Sequence, residues 1–155
     1  RRQKYRRIVF VSQSDTCRGP MAAAILRQKR FRQEYVIDSR GMVVLFPEPV
    51  NPKAEAVMRS NGMTLGGYTS IPFSETEIAD DILVLTMDEA QKHKVFAEYE
   101  EAVSIYTLNE FVGEDEPLLN PYGMPLNIYG LCYENISMLM DKLTKKLNSY
   151  TEGEG

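Results

Sequence analysis

Four short apolar runs, at residues 8–11, 35–37, 82–85 and 102–106, constrain this chain more than any other feature. Each is rich in β-branched, leucine or aromatic residues and reads as a strand buried in a sheet. Helical patterns lie between them. Gly19-Pro20 opens one that continues over residues 21–30, because proline suits a first turn where its missing N–H had no partner. Asn51 caps a second, with Pro52 at its first position, and Asn61-Gly62 ends it. After a helical turn at 76–81, Asp88 caps a third over 89–99. A final helix over 126–148 carries Ile128, Leu131, Cys132, Ile136, Leu139, Met140, Leu143 and Leu147 at helical spacing. Residues 43–50 and 113–125 read as loops. Short strands alternating with helices predict an α/β fold, a parallel sheet with helices on both faces. No repeat, low-complexity tract or linker interrupts the chain. Residues 1–155 are therefore expected to form one domain, with 151–155 as a frayed tail.

Composition narrows the function classes. A hydrophobic content of 43% and a charged content of 26% are those of an ordinary globular protein. No apolar run is long enough to span a bilayer, and the apolar stretch behind the basic start, Arg1 to Arg7, is too short for a secretory signal. The expectation is a cytoplasmic chain with no membrane partner. With a net charge of −4 overall, the basic start reads as a solvated flank of the first strand and not as a nucleic-acid site. Cys17 and Cys132 are far apart and in no CxxC pattern, which argues against a disulfide framework and a zinc site. His93, the only histidine, lies in a charged helical stretch, so Ser-His-Asp hydrolysis has no base. Asn135-Ile136-Ser137 matches a glycosylation sequon inside a helical pattern and is set aside. No metal and no cofactor is expected.

Open α/β sheets bind ligands beyond the carboxyl ends of their strands, which directs attention to the segment after the first one. It reads Ser12-Gln13-Ser14-Asp15-Thr16-Cys17-Arg18-Gly19-Pro20. It is neither GxGxxG nor GxxxxGK[ST]. A compact loop between a strand and a helix aims backbone N–H groups at one point, beside the positive end of the helix dipole. Arg18 adds a planar fork of donors suited to phosphate oxygens. On these residues alone, a phosphate site and an ordinary strand–helix turn with a surface arginine both stand.

The segment from Val11 to Ala22 resembles the signature of low-molecular-weight protein tyrosine phosphatases, V-C-x-G-N-x-C-R-S-P-x-A. Ser39-Arg40-Gly41 lies where that family has Ser-Ala-Gly. Pro52-Lys53-Ala54 leading to Asn61-Gly62-Met63 resembles its second helix, and Asp81 to Met87 its third strand. Asn120-Pro121-Tyr122-Gly123 stands where the family has Asp-Pro-Tyr-Gly, and Tyr129 to Tyr133 resembles the start of its last helix. The resemblance covers nearly all of residues 7–148. It implies a four-stranded parallel sheet in the order 2-1-3-4 with helices on both faces. The related arsenate reductases need a downstream cysteine pair, and this chain has no cysteine between Cys17 and Cys132.

In that family the first cysteine is a thiolate nucleophile, the arginine and loop amides hold the phosphate, and the serine after the arginine stabilises the thiolate. The aspartate of the Asp-Pro loop protonates the leaving oxygen and then activates water. The resemblance therefore assigns catalytic positions to Ser12, Arg18 and Asn120, and phosphate contacts to Gln13, Ser14, Asp15, Thr16, Cys17 and Arg18. It places Tyr122 and Phe46 on opposite walls against the substrate. An alcohol at position 12 stays protonated where a thiol of pKa about 8.5 ionises, and Asn120 has no titratable proton. Ser14 replaces the loop glycine and is expected to strain the backbone there. Asp15 brings a carboxylate to a dianion site unless it turns away, for example onto Ser39 or a backbone amide. Gly19 replaces the thiolate-stabilising serine. Arg40 either adds charge near the site or faces solvent.

The expectation is a protein that binds phosphotyrosine, on a protein partner, or another small phosphoester or anion, with hydrolysis lost or very weak. One alternative is a working phosphatase whose cysteine was changed to serine to trap substrate. The changes at positions 14, 15 and 19 favour natural divergence over that account. A further alternative is a non-catalytic interaction scaffold.

Overall fold

The computed structural model describes residues 5–152. The basic start before Tyr5 and the last three residues of the tail lie outside the described residues.

Four parallel strands form one sheet in the order β2-β1-β3-β4. They are β1 (Arg7–Ser12), β2 (Val36–Gly41), β3 (Ile82–Thr86) and β4 (Ile105–Thr107). Five helices surround them: α1 (Arg18–Arg27), α2 (Pro52–Ser60), α3 (Glu89–Glu98), α4 (Leu108–Val112) and α5 (Leu126–Glu152). Alternation along β1 sets the layers. Ile8 and Phe10 join Met21, Leu26, Met58, Leu83, Leu139 and Met140 in a core on the α1, α2 and α5 side. Val9 and Val11 join Phe73, Val84, Val95 and Ile105 on the α3 side. Residues 8–11 are all fully buried, so each large side chain there contributes about 1.5–3 kcal/mol of apolar burial.

The expected caps form. Asn51 Oδ1 accepts from the amides of Lys53 (2.8 Å) and Ala54 (3.4 Å), and Asp88 accepts from the amide of Gln91 (3.3 Å). Other boundaries differ from expectation for physical reasons. β2 starts after Tyr35 and continues to Gly41 because it pairs with β1 from Arg7↔Val36 to Ser12↔Gly41; its polar Asp38 and Arg40 are engaged by Arg7 and Glu77. β4 starts only at Ile105 because Ser104 before it is left-handed, with φ 57°. The turn before β3 is a single 3₁₀ turn at Glu75–Glu77, closed by reciprocal Ser74 and Glu77 bonds. α4 was not expected; Thr107 and Glu110 cap it reciprocally and Gly113, at φ 80°, ends it. α1 stops at Arg27, short of residue 30, and α5 continues past Asn148 to Glu152. Of the helical stripe in α5, Cys132 and Met140 are core, whereas Leu131 is 52% exposed.

Candidate functional site

The carboxyl end of β1 delivers Ser12, and α1 begins at Arg18, so residues 13–17 make the whole connection. Three backbone bonds fasten it. The amides of Met42 and Val43 donate to the carbonyls of Ser12 (3.0 Å) and Gln13 (2.8 Å), and the amide of Asn51 donates to that of Thr16 (2.7 Å). Ser14 and Thr16 join hydroxyls at 2.7 Å. Inside the loop, the Asp15 amide donates to Ser12 Oγ at 3.1 Å. The amides of Ser14, Thr16 and Cys17 have no acceptor among the described residues, and α1 begins without a side-chain cap. Unpaired amides beside a helix N-terminus are an arrangement able to hold an anion.

Arg18 completes it. Its side chain is nearly buried, Nη2 donates to Asp88 Oδ2 at 2.8 Å, and Nη1 is buried with no partner among the described residues. A buried guanidinium nitrogen without an acceptor is costly, and a phosphate oxygen removes that cost. Asp88, read from the sequence only as the cap of α3, thus also positions Arg18. Nothing local signals that contact.

Asp15 takes the turned-away arrangement. It is fully buried, and its Oδ2 accepts from the Tyr68 hydroxyl and the Ile71 amide (3.0 Å). The Tyr68 oxygen lies 2.9 Å from Ser39 Oγ. Burial raises the Asp15 carboxyl above its ordinary value, and the Tyr68 and Ile71 hydrogen bonds, with the nearby Ser39 hydroxyl, offset this in part. The backbone strain expected at Ser14 lies instead at Asp15, with φ 58°; among the described residues only Ser104 shares a positive φ without being glycine. Aspartate tolerates that conformation better than most residues. Burial pushes the Cys17 thiol up to about 11, with Arg18 opposing, which disfavours the thiolate, the nucleophilic form of a cysteine.

Gly41 is required by close approach. A Cβ there would lie 2.6 Å from Val44 Cγ2, 2.9 Å from the Ser14 carbonyl carbon and 3.0 Å from the Asp15 amide. Of the two alternatives for Arg40, it does not face solvent: its Nε donates to Glu77 Oε1 at 2.8 Å and Nη1 to the Ser39 carbonyl at 2.7 Å, and its charge acts on Asp15.

The flanking loops converge on the same end of the sheet. Lys53 Nζ donates to the Met124 carbonyl (2.7 Å), tying the 120–125 loop to the start of α2. Asn120 is exposed, and its Oδ1 accepts from the Tyr122 amide at 3.2 Å. Tyr122 and Phe46 are 85% and 64% exposed. None of the three hydrogen-bonds to residues 12–18. A cavity of about 540 Å³ is lined in part by Asp88, the partner of Arg18. Its walls include Asp88, Glu89, Glu110, Glu114, Asp115 and Glu116, of which Glu110 and Glu114 are paired with Lys92 and Lys142. Among the described residues no helix is long and apolar enough to cross a membrane.

A family model described as low molecular weight phosphotyrosine protein phosphatase matches residues 7–152. The chain is 31% identical over 137 residues to the low molecular weight protein-tyrosine-phosphatase PtpB of Staphylococcus haemolyticus, covering 88% of this chain and 96% of that one. Its structure is similar to that of YwlE arginine phosphatase from Geobacillus stearothermophilus, with TM-score 0.87, 28% identity, and 96% and 97% of the two chains covered. It is also similar to a cysteine-to-serine mutant of YwlE solved with a phosphorylated active site serine, with TM-score 0.81, 28% identity, and 91% and 95% covered. Strand order, the loop between β1 and α1, and this match across nearly the whole chain agree: the protein belongs to the low molecular weight phosphotyrosine protein phosphatase family.

Proposed function

We propose that this chain binds a phosphoryl group in the loop from Ser12 to Arg18 and holds it without efficient turnover. The observation that carries this reading is the site itself: three unpaired loop amides, an uncapped helix start and the unpaired Nη1 of buried Arg18. The turnover machinery is what differs. Ser12 lacks the acidity of a thiol, and Asn120 supplies no general acid or base, a contribution worth about 10²–10⁴ in rate. A phosphoserine, once formed, is a poor leaving group for the second step. The serine-substituted YwlE with its phosphorylated serine supports covalent capture on Ser12.

The bound group is a phosphotyrosine or a related phosphoester by family. A specific observation favours a second donor, phosphoarginine: the carboxylates lining the cavity at Asp88 suit a cationic leaving group, and relatives similar to this chain are named for arginine phosphatase activity. Amide NMR titration with inorganic phosphate and vanadate tests the binding claim. Shifts concentrated at residues 13–19 are expected; an unmoved loop at millimolar anion would contradict it and leave an interaction scaffold. Competition by phosphotyrosine and phosphoarginine separates the two donors.

A further inference from the structure

We infer that Asp15 is the proton acceptor for the Ser12 hydroxyl, forming with Tyr68 a nucleophile, base and orienting group in place of the family's thiolate. The inference rests on the capture reading above. Three features carry it.

The first is placement. Asp15 is tied to Ser12 directly, its amide donating to Ser12 Oγ at 3.1 Å. A Cβ at Gly19 would be 3.2 Å from Ser12 Oγ and 3.6 Å from Asp15 Oδ1, so both oxygens border one point. The family's serine at this position would put a side chain there. Glycine leaves no side chain between the hydroxyl and the carboxylate.

The second is an unused acceptor. Oδ2 is held by Tyr68 and Ile71, whereas Oδ1 is buried with no partner among the described residues. A fixed carboxylate with one free oxygen is what a general base needs, and Tyr68, itself anchored to Ser39, supplies the third, orienting member. The third feature is basicity. Burial raises the carboxyl, which makes the ionised form a stronger base than an exposed aspartate. The charged and titratable groups that act on it are Tyr68 itself and Arg40 on β2, engaged by Glu77. Arg40 donates no hydrogen bond to it.

The Ser12 Oγ–phosphorus bond forms, the hydroxyl proton passes to Asp15, and the bond from phosphorus to the donor's leaving atom breaks with its electron pair. Asn120 provides no proton to that atom, so the donor must be activated: an aryl phosphate with an acidic phenol, an acyl phosphate or a phosphoramidate. Ionised Asp15 disfavours a dianion by charge, so the same residue that speeds transfer weakens simple anion binding.

The test is a burst experiment with dinitrophenyl phosphate, reading dinitrophenolate release and, by mass spectrometry, one phosphoryl group on Ser12. The unmodified chain is expected to give one equivalent, with a burst rate that rises with pH through the Asp15 ionisation and then levels. Asp15→Asn restores the family's residue type and is expected to keep the fold. It should slow the burst by at least about 100-fold, abolish that pH rise, and bind vanadate at least as tightly. Equal burst rates and pH profiles in the two proteins would reduce Asp15 to a brace of the loop and overturn the inference while leaving capture intact. Absence of phosphate on Ser12 in the unmodified chain would overturn both.

Discussion

Arg18 Nη2 lies 2.8 Å from Asp88 Oδ2, joining residues 70 apart in the chain, while Asp88 Oδ1 accepts from the Gln91 amide at the start of α3. One carboxylate thus fixes the phosphate-loop arginine and caps the helix that follows β3. It can do so because β1 and β3 are sheet neighbours, bringing their carboxyl ends together.

Removing that carboxylate has two effects of the same sign. Asp88→Ala uncaps α3 and leaves a nearly buried Arg18 without its counter-ion. We expect a loss of about 2 kcal/mol in urea denaturation, Asp88 being a third exposed. A stability within 0.5 kcal/mol of the unmodified chain, roughly what an inert surface change gives, would show that the pair does not hold the site.

Gly41→Ala reports on the approach of β2 to the loop. Its Cβ would press on the backbone of Ser14 and Asp15, neither of which can rotate away. A loss of about 1–3 kcal/mol is expected from overpacking, with phosphate affinity at least about tenfold weaker, equivalent to 1.4 kcal/mol. Calorimetric titration measures the second. Unchanged affinity would mean that the loop yields without cost.

Asp15 gives stability a distinctive pH dependence. Its folded carboxyl is raised above the ordinary value of 3.8, so the folded state holds this proton more tightly than the unfolded chain. The resulting stability is present at low pH and is lost as pH rises from that value through the folded one. Relative to Asp15→Asn, the unmodified chain should therefore lose stability on going from pH about 4 towards neutrality. A parallel pair of stability curves would contradict the raised carboxyl.

Glu77 should behave oppositely. It is 3% exposed and binds Arg40 at 2.8 Å, Arg7 at 3.6 Å and the Ser74 amide at 3.0 Å. Burial acts to raise its carboxyl, but the Ser74, Arg40 and Thr76 donors outweigh that and lower it below 4.5. Its contribution is present above that value and is lost as pH falls through the lowered one. Glu77→Gln is expected to cost about 3 kcal/mol at neutral pH, with the gap narrowing in acid. A gap independent of pH would argue for a packing role only.

What the sequence made legible were features written in adjacent residues. The apolar run at 8–11, Gly19-Pro20 and the Asn51-Pro52 cap each state a local conformation, and the loop signature states the family. What it hid were contacts across the sheet. Tyr68 meets Asp15 through a hydroxyl and carboxylate 53 residues apart, and Arg40 finds Glu77 across 37; no periodicity encodes either. α4 is different, because Thr107-Leu108-Asn109-Glu110 is a capping-box pattern lying in the unassigned stretch between the expected strand at 102–106 and the expected loop at 113–125. Ser14 misled for another reason. A lost glycine suggests strain at its own position, whereas the left-handed residue is its neighbour Asp15.

The central claim is that the loop captures a phosphoryl group while Ser12 and Asn120 prevent its efficient release. Steady-state hydrolysis of an aryl phosphate, by the unmodified chain and by the Ser12→Cys, Asn120→Asp double variant, tests it most directly. The account predicts no more than one equivalent of phenol from the unmodified chain, and continuous turnover at least about 100-fold faster from the double variant. Continuous turnover by the unmodified chain at the rate of the double variant would contradict it.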